Sequence, residues 1–443
     1  MSDDSFLDEK GLGRAVPSSR VSRFMRLGGM TAGIGGRMLM DGAKQMASGQ
    51  RPKVQDLLLT PTNAKKITHQ LAQMRGAAMK MGQLMSMDTG EFLPREMTDI
   101  LARLRADADH MPPQQLRTVL DKQWGKGWIS KFSQFNVRPI ASASIGQVHR
   151  ARTKDGHDLA IKVQYPGVRN SIDSDVSNVA SLLRLSGLIP KTLDVGPLME
   201  EARRQLHEEA DYVREGAQMD RFHALLADTP AFRVPRLYPD LSGPDVLAMD
   251  FIESVPIETL RDAPQALRDD VVTKLLELVM TELFTFHLMQ TDPNFANYRY
   301  DPGTGQIVLL DFGATRAFTD DFAAGFRALL RAGLAGDLEE MRQAAIQIGY
   351  FTDGLKAHNQ HSIMQMMELS MTPLRQGGLY DFADTSMSAQ MRDIGMELGT
   401  DREVWHIPPP DVLFMNRKFG GLYLLATMLK ARVDIRSIMQ RYA

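Results

Sequence analysis

Three short blocks stand along this chain in a fixed order. They are Leu159-Ala160-Ile161-Lys162, then Asp292-Pro293-Asn294-Phe295-Ala296-Asn297, then Leu309-Leu310-Asp311-Phe312-Gly313. No other feature constrains the fold as much, because the set needs a strand bearing a lysine, a tight loop, and a strand that ends in an aspartate. Phosphoryl transfer uses such a set. A strand lysine can hold nucleotide phosphates, the aspartate and asparagine of the loop can serve the reacting end and one Mg²⁺, and the aspartate of Asp-Phe-Gly can hold the metal bridging the phosphates. Each block alone is weak, since apolar-Lys-Val strands are common and Asp-Phe-Gly arises by chance. In this order, coincidence is a poor explanation, and a kinase-like nucleotide site is expected.

The elements between the blocks follow the same plan. Thr62 or Asn63 can cap a helix over 62–88, on which Ile67, Leu71, Met74, Ala78, Met81 and Met85 recur at helical steps. Lys80 and Gln83 sit beside that apolar stripe. Further helices are expected near 94–105 and 113–123. Strands Gln147–Arg152 and Asp158–Gln164 flank the turn signal Lys154-Asp155-Gly156, and Lys162 lies on the second of them. One long helical pattern from about 194 to 225 carries Glu209, Asp211 and Glu215. Asp245–Phe251 and Ile307–Leu310 read as strands, Leu275–Met289 as a core helix, and 319–440 as mostly helical. The expected fold class is α+β: a bilobal protein-kinase-like fold with a β-rich small lobe, a mainly helical large lobe and an N-terminal helical extension. The expected divisions are a basic, glycine-rich arm (1–61), the helical extension (62–125), the small lobe (126–252) and the helical lobe (253–443).

Composition narrows the function classes. The net charge of −2 gives no support for nucleic acid as a partner. The absence of cysteine removes disulfides, thiolate metal sites and thiol nucleophiles, and fits a reducing compartment. His358 and His361 are a turn apart in a polar stretch and read as solvated surface. The 29 methionines read as adaptable core filler. No signal peptide is evident and no apolar run approaches the ~18 residues needed to span a bilayer. A cytoplasmic protein, either soluble or peripheral on the inner membrane face, is the expectation. From Lys10 to Met40 there are six basic residues and no acid, with Met25, Met30, Ile34 and Met38 among glycines. That segment reads either as a contact for an anionic membrane surface or as a flexible arm on its own domain.

Within the site, Lys162 can neutralise phosphate oxygens as a point charge, and Glu215 suits it as the anion that fixes its stem. Asp311 ends an apolar strand and can face a dication. Pro293 holds the loop between Asp292 and Asn297. Two features depart from an ordinary protein kinase. The segment that should cover the phosphates is Ile140-Ala141-Ser142-Ala143-Ser144-Ile145-Gly146-Gln147-Val148, with alanine and serine where a glycine-rich turn is usual. After Asp311 there is no activation segment ending in Ala-Pro-Glu, since Thr319 onward already reads as helix.

Those departures resemble the UbiB (AarF-domain, ADCK-type) family of atypical kinases over most of the chain, from about residue 62 onward. Lys80-Met81-Gly82-Gln83 resembles the family's Lys-x-Gly-Gln, and Glu209-Ala210-Asp211 its Glu-x-Asp. The Ala141–Gln147 loop, Asp292–Asn297 and Asp311–Gly313 complete the set. Ala314-Thr315-Arg316 is typical of the branch near the mitochondrial coenzyme Q kinase-like proteins. Ser142 departs from the usual run of alanines, so the preference between ATP and ADP stays open.

The resemblance implies an atypical kinase-like ATPase that binds Mg²⁺ and ATP or ADP and supports ubiquinone (coenzyme Q) biosynthesis at a membrane. It implies catalytic roles for Asp292, Lys162, Glu215, Lys80 and Gln83. Nucleotide contacts would come from Ala141, Ser142, Ala143, Ser144, Lys162, Glu209 and Asp211, and metal ligation from Asn297 and Asp311. Anionic lipid and quinone-biosynthesis proteins or intermediates are the implied partners. The Lys-x-Gly-Gln helix would fold over the cleft where a protein substrate enters, and substituting Lys80 is expected to leave thermal stability near normal. A small-molecule phosphotransferase and a nucleotide- or lipid-binding scaffold are the competing readings. Intact Lys162, Asp292, Asn297 and Asp311 argue against the scaffold.

Overall fold

Alternation of apolar and polar residues builds the first sheet. In the computed structural model, which describes residues 71, 74, 76–78, 80, 81, 110–185, 196–351, 355–400 and 408–443, β1 (Phe132–Phe135), β2 (Ala141–Ser142), β3 (Gly146–Thr153), β4 (Asp158–Gln164) and β5 (Val246–Asp250) form an antiparallel sheet in the order β1-β3-β4-β5, with β2 on β3. Leu159, Ile161 and Val163 of β4 turn into the core and are fully buried, while Lys162 turns to the other face. Helix α1 (Pro113–Trp124) covers the core side through Leu116 and Leu120, beside Trp128, Phe132 and Phe135. Trp128 and Phe135 meet edge to face at 5.0 Å between centroids.

The chain divides into two compact units. One contains the described part of residues 1–217 together with 236–251, and the other contains 218–235 with 252–443. The first unit adds α2 (Val168–Leu185) and α3 (Gly196–Glu209) to the sheet, and α4 (Tyr212–Leu225) begins in it. The single helix expected over 194–225 is therefore two. It breaks at Ala210 and Asp211, where the Asp211 side chain accepts from Arg214 N at 3.0 Å and starts α4.

In the second unit, α5 (Gln265–Thr281) runs into a π-helical turn over Glu282–Phe286, and His287 takes a left-handed φ of 49°. The chain then enters β6 (Leu288–Gln290). The apolar stretch to Met289 is thus helix only in its first part. Strands β7 (Tyr298–Asp301) and β8 (Gln306–Leu309) pair antiparallel, and β9 (Thr315–Ala317) returns to pair with β6. Beyond them the unit is mainly helical: α6 (Asp320–Ala335), α7 (Leu338–Ile348), α8 (Ala357–Gln376), α9 (Ser386–Thr400), α10 (Pro410–Leu429) and α11 (Ile435–Gln440). Thr319 caps α6 by accepting from Phe322 N at 3.2 Å, so helix begins soon after Asp-Phe-Gly, as the sequence indicates. His358 and His361 are exposed. Among the described residues no helix is long and apolar enough to cross a membrane.

Candidate nucleotide and metal site

The residues singled out in the sequence assemble as two groups, one in each unit. In the first unit, β4 carries Lys162 opposite Val148 of β3 and Leu247 of β5. Its ammonium reaches both carboxylate oxygens of Glu215, at 2.8 and 3.0 Å. Glu215 lies in the first turn of α4, where the helix dipole favours an anion. The Glu215 side chain is only 2% exposed and that of Lys162 12%, so the pair is held in a dry setting that keeps an opening on the lysine side. The Tyr212 ring centroid lies 5.1 Å from the ammonium.

The alanine- and serine-rich loop is anchored from several directions. Ala143 N donates to Gly146 O at 2.9 Å, and Tyr165 N donates to Ile145 O at 2.9 Å. Gly146 is required by close approach: a Cβ there would lie 2.4 Å from Val163 O. The loop's one glycine therefore serves the sheet. Ser144 Oγ donates to Glu209 Oε2 at 2.8 Å. Lys80 pairs with the same carboxylate through its other oxygen.

This geometry corrects the expectation for Lys80. Leu71, Met74, Ala78 and Met81 are buried as their spacing indicates, but Lys80 is buried with them at 4% exposure. Lys80 does not sit on the surface beside the stripe, and removing one partner of a buried pair leaves the other charge uncompensated, which argues against a substitution neutral for stability. Gln83, Ile67, Met85, the 94–105 helix and the basic arm lie outside the described residues.

In the second unit, Asn297 Nδ2 donates to Asp292 Oδ2 at 2.9 Å. That bond fixes the amide's polarity and directs its oxygen away from Asp292. Leu310 N donates to Asn297 O at 3.1 Å, joining the loop to the residue before Asp311. Asp311 Oδ1 accepts from Gly313 N at 2.9 Å, which sets the carboxylate in a tight turn. Thr291 donates twice to Ala314 O, from N and from Oγ1, each at 2.8 Å. Phe312 is 1% exposed and meets Phe222 in a tilted arrangement, 5.0 Å between ring centroids.

Among the described residues no three His, Cys, Asp or Glu side chains are placed to share a metal ion. The oxygens at hand are a carboxylate and an amide. That donor set fits Mg²⁺, which takes one or two protein oxygens and completes its octahedron with water and phosphate. It does not fit a structural zinc or calcium cage.

Residues 103–345 match the ABC1 atypical kinase-like domain. The chain belongs to the ABC1 (UbiB) family of atypical kinases. It is 37% identical over 430 residues to "Atypical kinase COQ8, mitochondrial" of Saccharomyces cerevisiae, covering 96% of this chain and 85% of that one. It is 34% identical to "Atypical kinase COQ8B, mitochondrial" of Rattus norvegicus, covering 98% and 82%. Among solved structures it resembles Rv3197 of Mycobacterium tuberculosis, determined as a complex with erythromycin. The TM-score there is 0.60 with 25% identity, over 85% of this chain and 94% of that one. The kinase-like α+β fold read from the ordered blocks is thus borne out.

Sequence reasoning passed over one cluster in this ABC1-family chain. Lys418 of α10 is 2% exposed and donates to Gln290 O at 2.7 Å, Gln290 Oε1 at 3.1 Å and Tyr298 Oη at 2.9 Å. Its ammonium also lies 3.3 Å from Glu282 Oε2, a carboxylate with no exposure. Burial pushes Glu282 above the usual carboxylate range despite the lysine. Burial works against the Lys418 charge, but Glu282 and Tyr298 more than offset it and raise its pKa. A signal was present. Lys418 falls four residues after Phe414 and four before Leu422 on an apolar stripe, and Glu282 interrupts another apolar run.

Proposed function

We propose that this protein binds Mg²⁺ with ATP or ADP, acts as an atypical kinase or ATPase, and supports ubiquinone biosynthesis at a membrane surface. The observation that carries the reading is the pairing of Lys162 with Glu215 in one unit, alongside Asp292, Asn297 and Asp311 held in one hydrogen-bonded loop system in the other. Lys162, oriented by Glu215, neutralises phosphate oxygens. Ala141 to Ser144 border the phosphates, with Glu209 tying Ser144 to Lys80. Asp311 and the Asn297 amide oxygen hold the cation, which would supply charge neutralisation on the phosphates. Asp292 orients the acceptor, its second carboxylate oxygen already fixed by Asn297. Lys80 and Gln83 modulate turnover from the N-terminal extension. Asp211 starts α4 and so sets the position of Glu215. The coenzyme Q role rests on family membership and on the likeness to COQ8 proteins over nearly all of this chain, and the basic segment before residue 40 supplies the contact for anionic lipid.

The test is Mg²⁺-dependent thermal stabilisation by ATP and by ADP. A ligand at 100 times its Kd adds about 2.7 kcal/mol to wild-type stability. Asp311→Asn should lose that increment, because an amide replaces the anionic oxygen that a dication needs. Full stabilisation of Asp311→Asn would remove Asp311 from the metal site. The physiological part is read from quinone content: a strain lacking this gene should lose ubiquinone and regain it with the wild-type gene but not with Asp311→Asn.

A further inference from the structure

The Asp292–Asn297 loop is supported by groups for which the proposed chemistry has no direct use. Gly421 of α10 lies against it at backbone contact: a Cβ there would fall 2.2 Å from Pro293 Cβ and 3.2 Å from Pro293 Cα. On the same helix, three residues earlier, stands Lys418. An ammonium is a donor only, and Lys418 gives its protons to Gln290 O, Gln290 Oε1 and Tyr298 Oη. Tyr298 Oη donates in turn to Gln290 Oε1 at 3.3 Å. With its oxygen claimed twice, the Gln290 amide has one orientation left. Its Nε2 must point the other way, and there it donates to the Asp292 carbonyl at 3.0 Å. Glu282 closes the system by accepting from Gln290 N at 3.3 Å and balancing the Lys418 charge.

Stability does not explain this arrangement. A buried ion pair replaced by apolar residues of similar volume is often neutral or stabilising, and the surroundings are apolar, with Leu275, Leu278, Val279, Leu422 and Leu425 nearby. What an apolar substitute could not supply is the fixed polarity of Gln290. We propose that Lys418 is a positioning residue for phosphoryl transfer. Through Gln290 it fixes the main chain at Asp292, and through the Asp292–Asn297 hydrogen bond it fixes the Asn297 amide. The inference rests on the nucleotide-dependent reading given above.

The experiment uses the full chain with Lys418→Met and Glu282→Gln combined, so that no buried charge is left alone, and the same pair with Gln290→Leu added. Steady-state ATP turnover and hydrogen–deuterium exchange are measured on both and on the wild type. A misplacement of an ångström can lower a rate by about 100-fold, and we expect kcat to fall by about 10- to 100-fold with KM for ATP changed by less than about threefold. Adding Gln290→Leu should lower kcat by less than about twofold more, because Lys418 acts through that residue. Amides over 288–298 should exchange faster while those over 320–335 do not. Wild-type exchange over 288–298 would overturn the proposal whatever turnover does. A lower melting temperature with unchanged kcat per folded molecule would overturn it too. A wild-type chain without Mg²⁺-dependent turnover would instead sink the underlying reading, and the exchange arm would still decide whether Lys418 holds the loop.

Discussion

Two lysine–glutamate pairs, one in each unit, share their residue types and differ in what surrounds them. Lys162 meets both oxygens of Glu215, and its side chain keeps 12% of its exposure. Lys418 meets Glu282 as well, but adds a carbonyl, an amide oxygen and a phenol, and its side chain keeps 3%. The first pair leaves part of its lysine open to solvent, which is where the proposed phosphate would meet it. The second uses up its protons inside the protein and can only transmit geometry. The same two residue types thus give a partly open ammonium or a fully enclosed one according to how many internal acceptors surround the lysine.

The contrast breaks most directly by substituting each lysine with methionine. Lys418→Met leaves the Glu282 carboxylate buried without its counter-ion, and unfolding by denaturant should show a loss of about 3–5 kcal/mol. Lys162→Met should lose only about 1–3 kcal/mol, since solvent reaches that side of the pair, yet abolish nucleotide-dependent stabilisation. Equal losses in the two variants would erase the distinction.

A buried group without charge sharpens the comparison. His149 is fully buried, bonds Asn136 O through Nδ1 at 2.8 Å and meets Gln147 Nε2 at 2.9 Å through Nε2. Gln147 Oε1 in turn accepts from Met111 N at 2.7 Å. Burial, helped by nearby His110 and opposed by the Asn136 bond, pushes His149 down from 6.5 to about 4. The folded state therefore resists a proton that the unfolded chain accepts. Its contribution is fully present above about pH 6.5 and is lost as pH falls toward 4, by about 3 kcal/mol over that span. His149→Gln should flatten this part of the stability profile, and an unchanged slope would assign the acid sensitivity to other groups.

The smallest effect belongs to an exposed pair. Lys122 Nζ lies 2.6 Å from Asp245 Oδ2, but the lysine side chain is 75% exposed. Lys122→Ala should change stability by less than about 1 kcal/mol, and added salt should remove even that. A larger loss would mean that the distance, rather than the surroundings, sets the value of these pairs.

Much of the candidate site was legible because its parts are local. The hairpin around Asp155-Gly156, the strand bearing Lys162, the Asp292–Asn297 loop and the Asp-Phe-Gly turn each depend on residues a few positions apart, and turn chemistry and alternation specify them. The pairing of Lys162 with Glu215 was legible as well, since a phosphate-binding lysine needs an anion to fix its stem and the helical pattern after the hairpin offered Glu215. The break at Ala210–Asp211 was not. Helical periodicity runs through it, and only a side-chain cap divides it. The π-helical end of α5 was hidden for the same reason, because an apolar run carries no mark of the turn at which its hydrogen bonding changes.

By itself, then, the sequence determined the order of the chemical blocks, the α+β class and the family, for these rest on residue type and short spacing. Tertiary structure alone decided the burial of Lys80 against Glu209, the neutral state of His149, and the joining of Lys418 to Gln290 across 128 residues. The physical reason is common to all three. The state of a polar group depends on how many partners and how much water surround it, and those numbers exist only once distant segments have packed together.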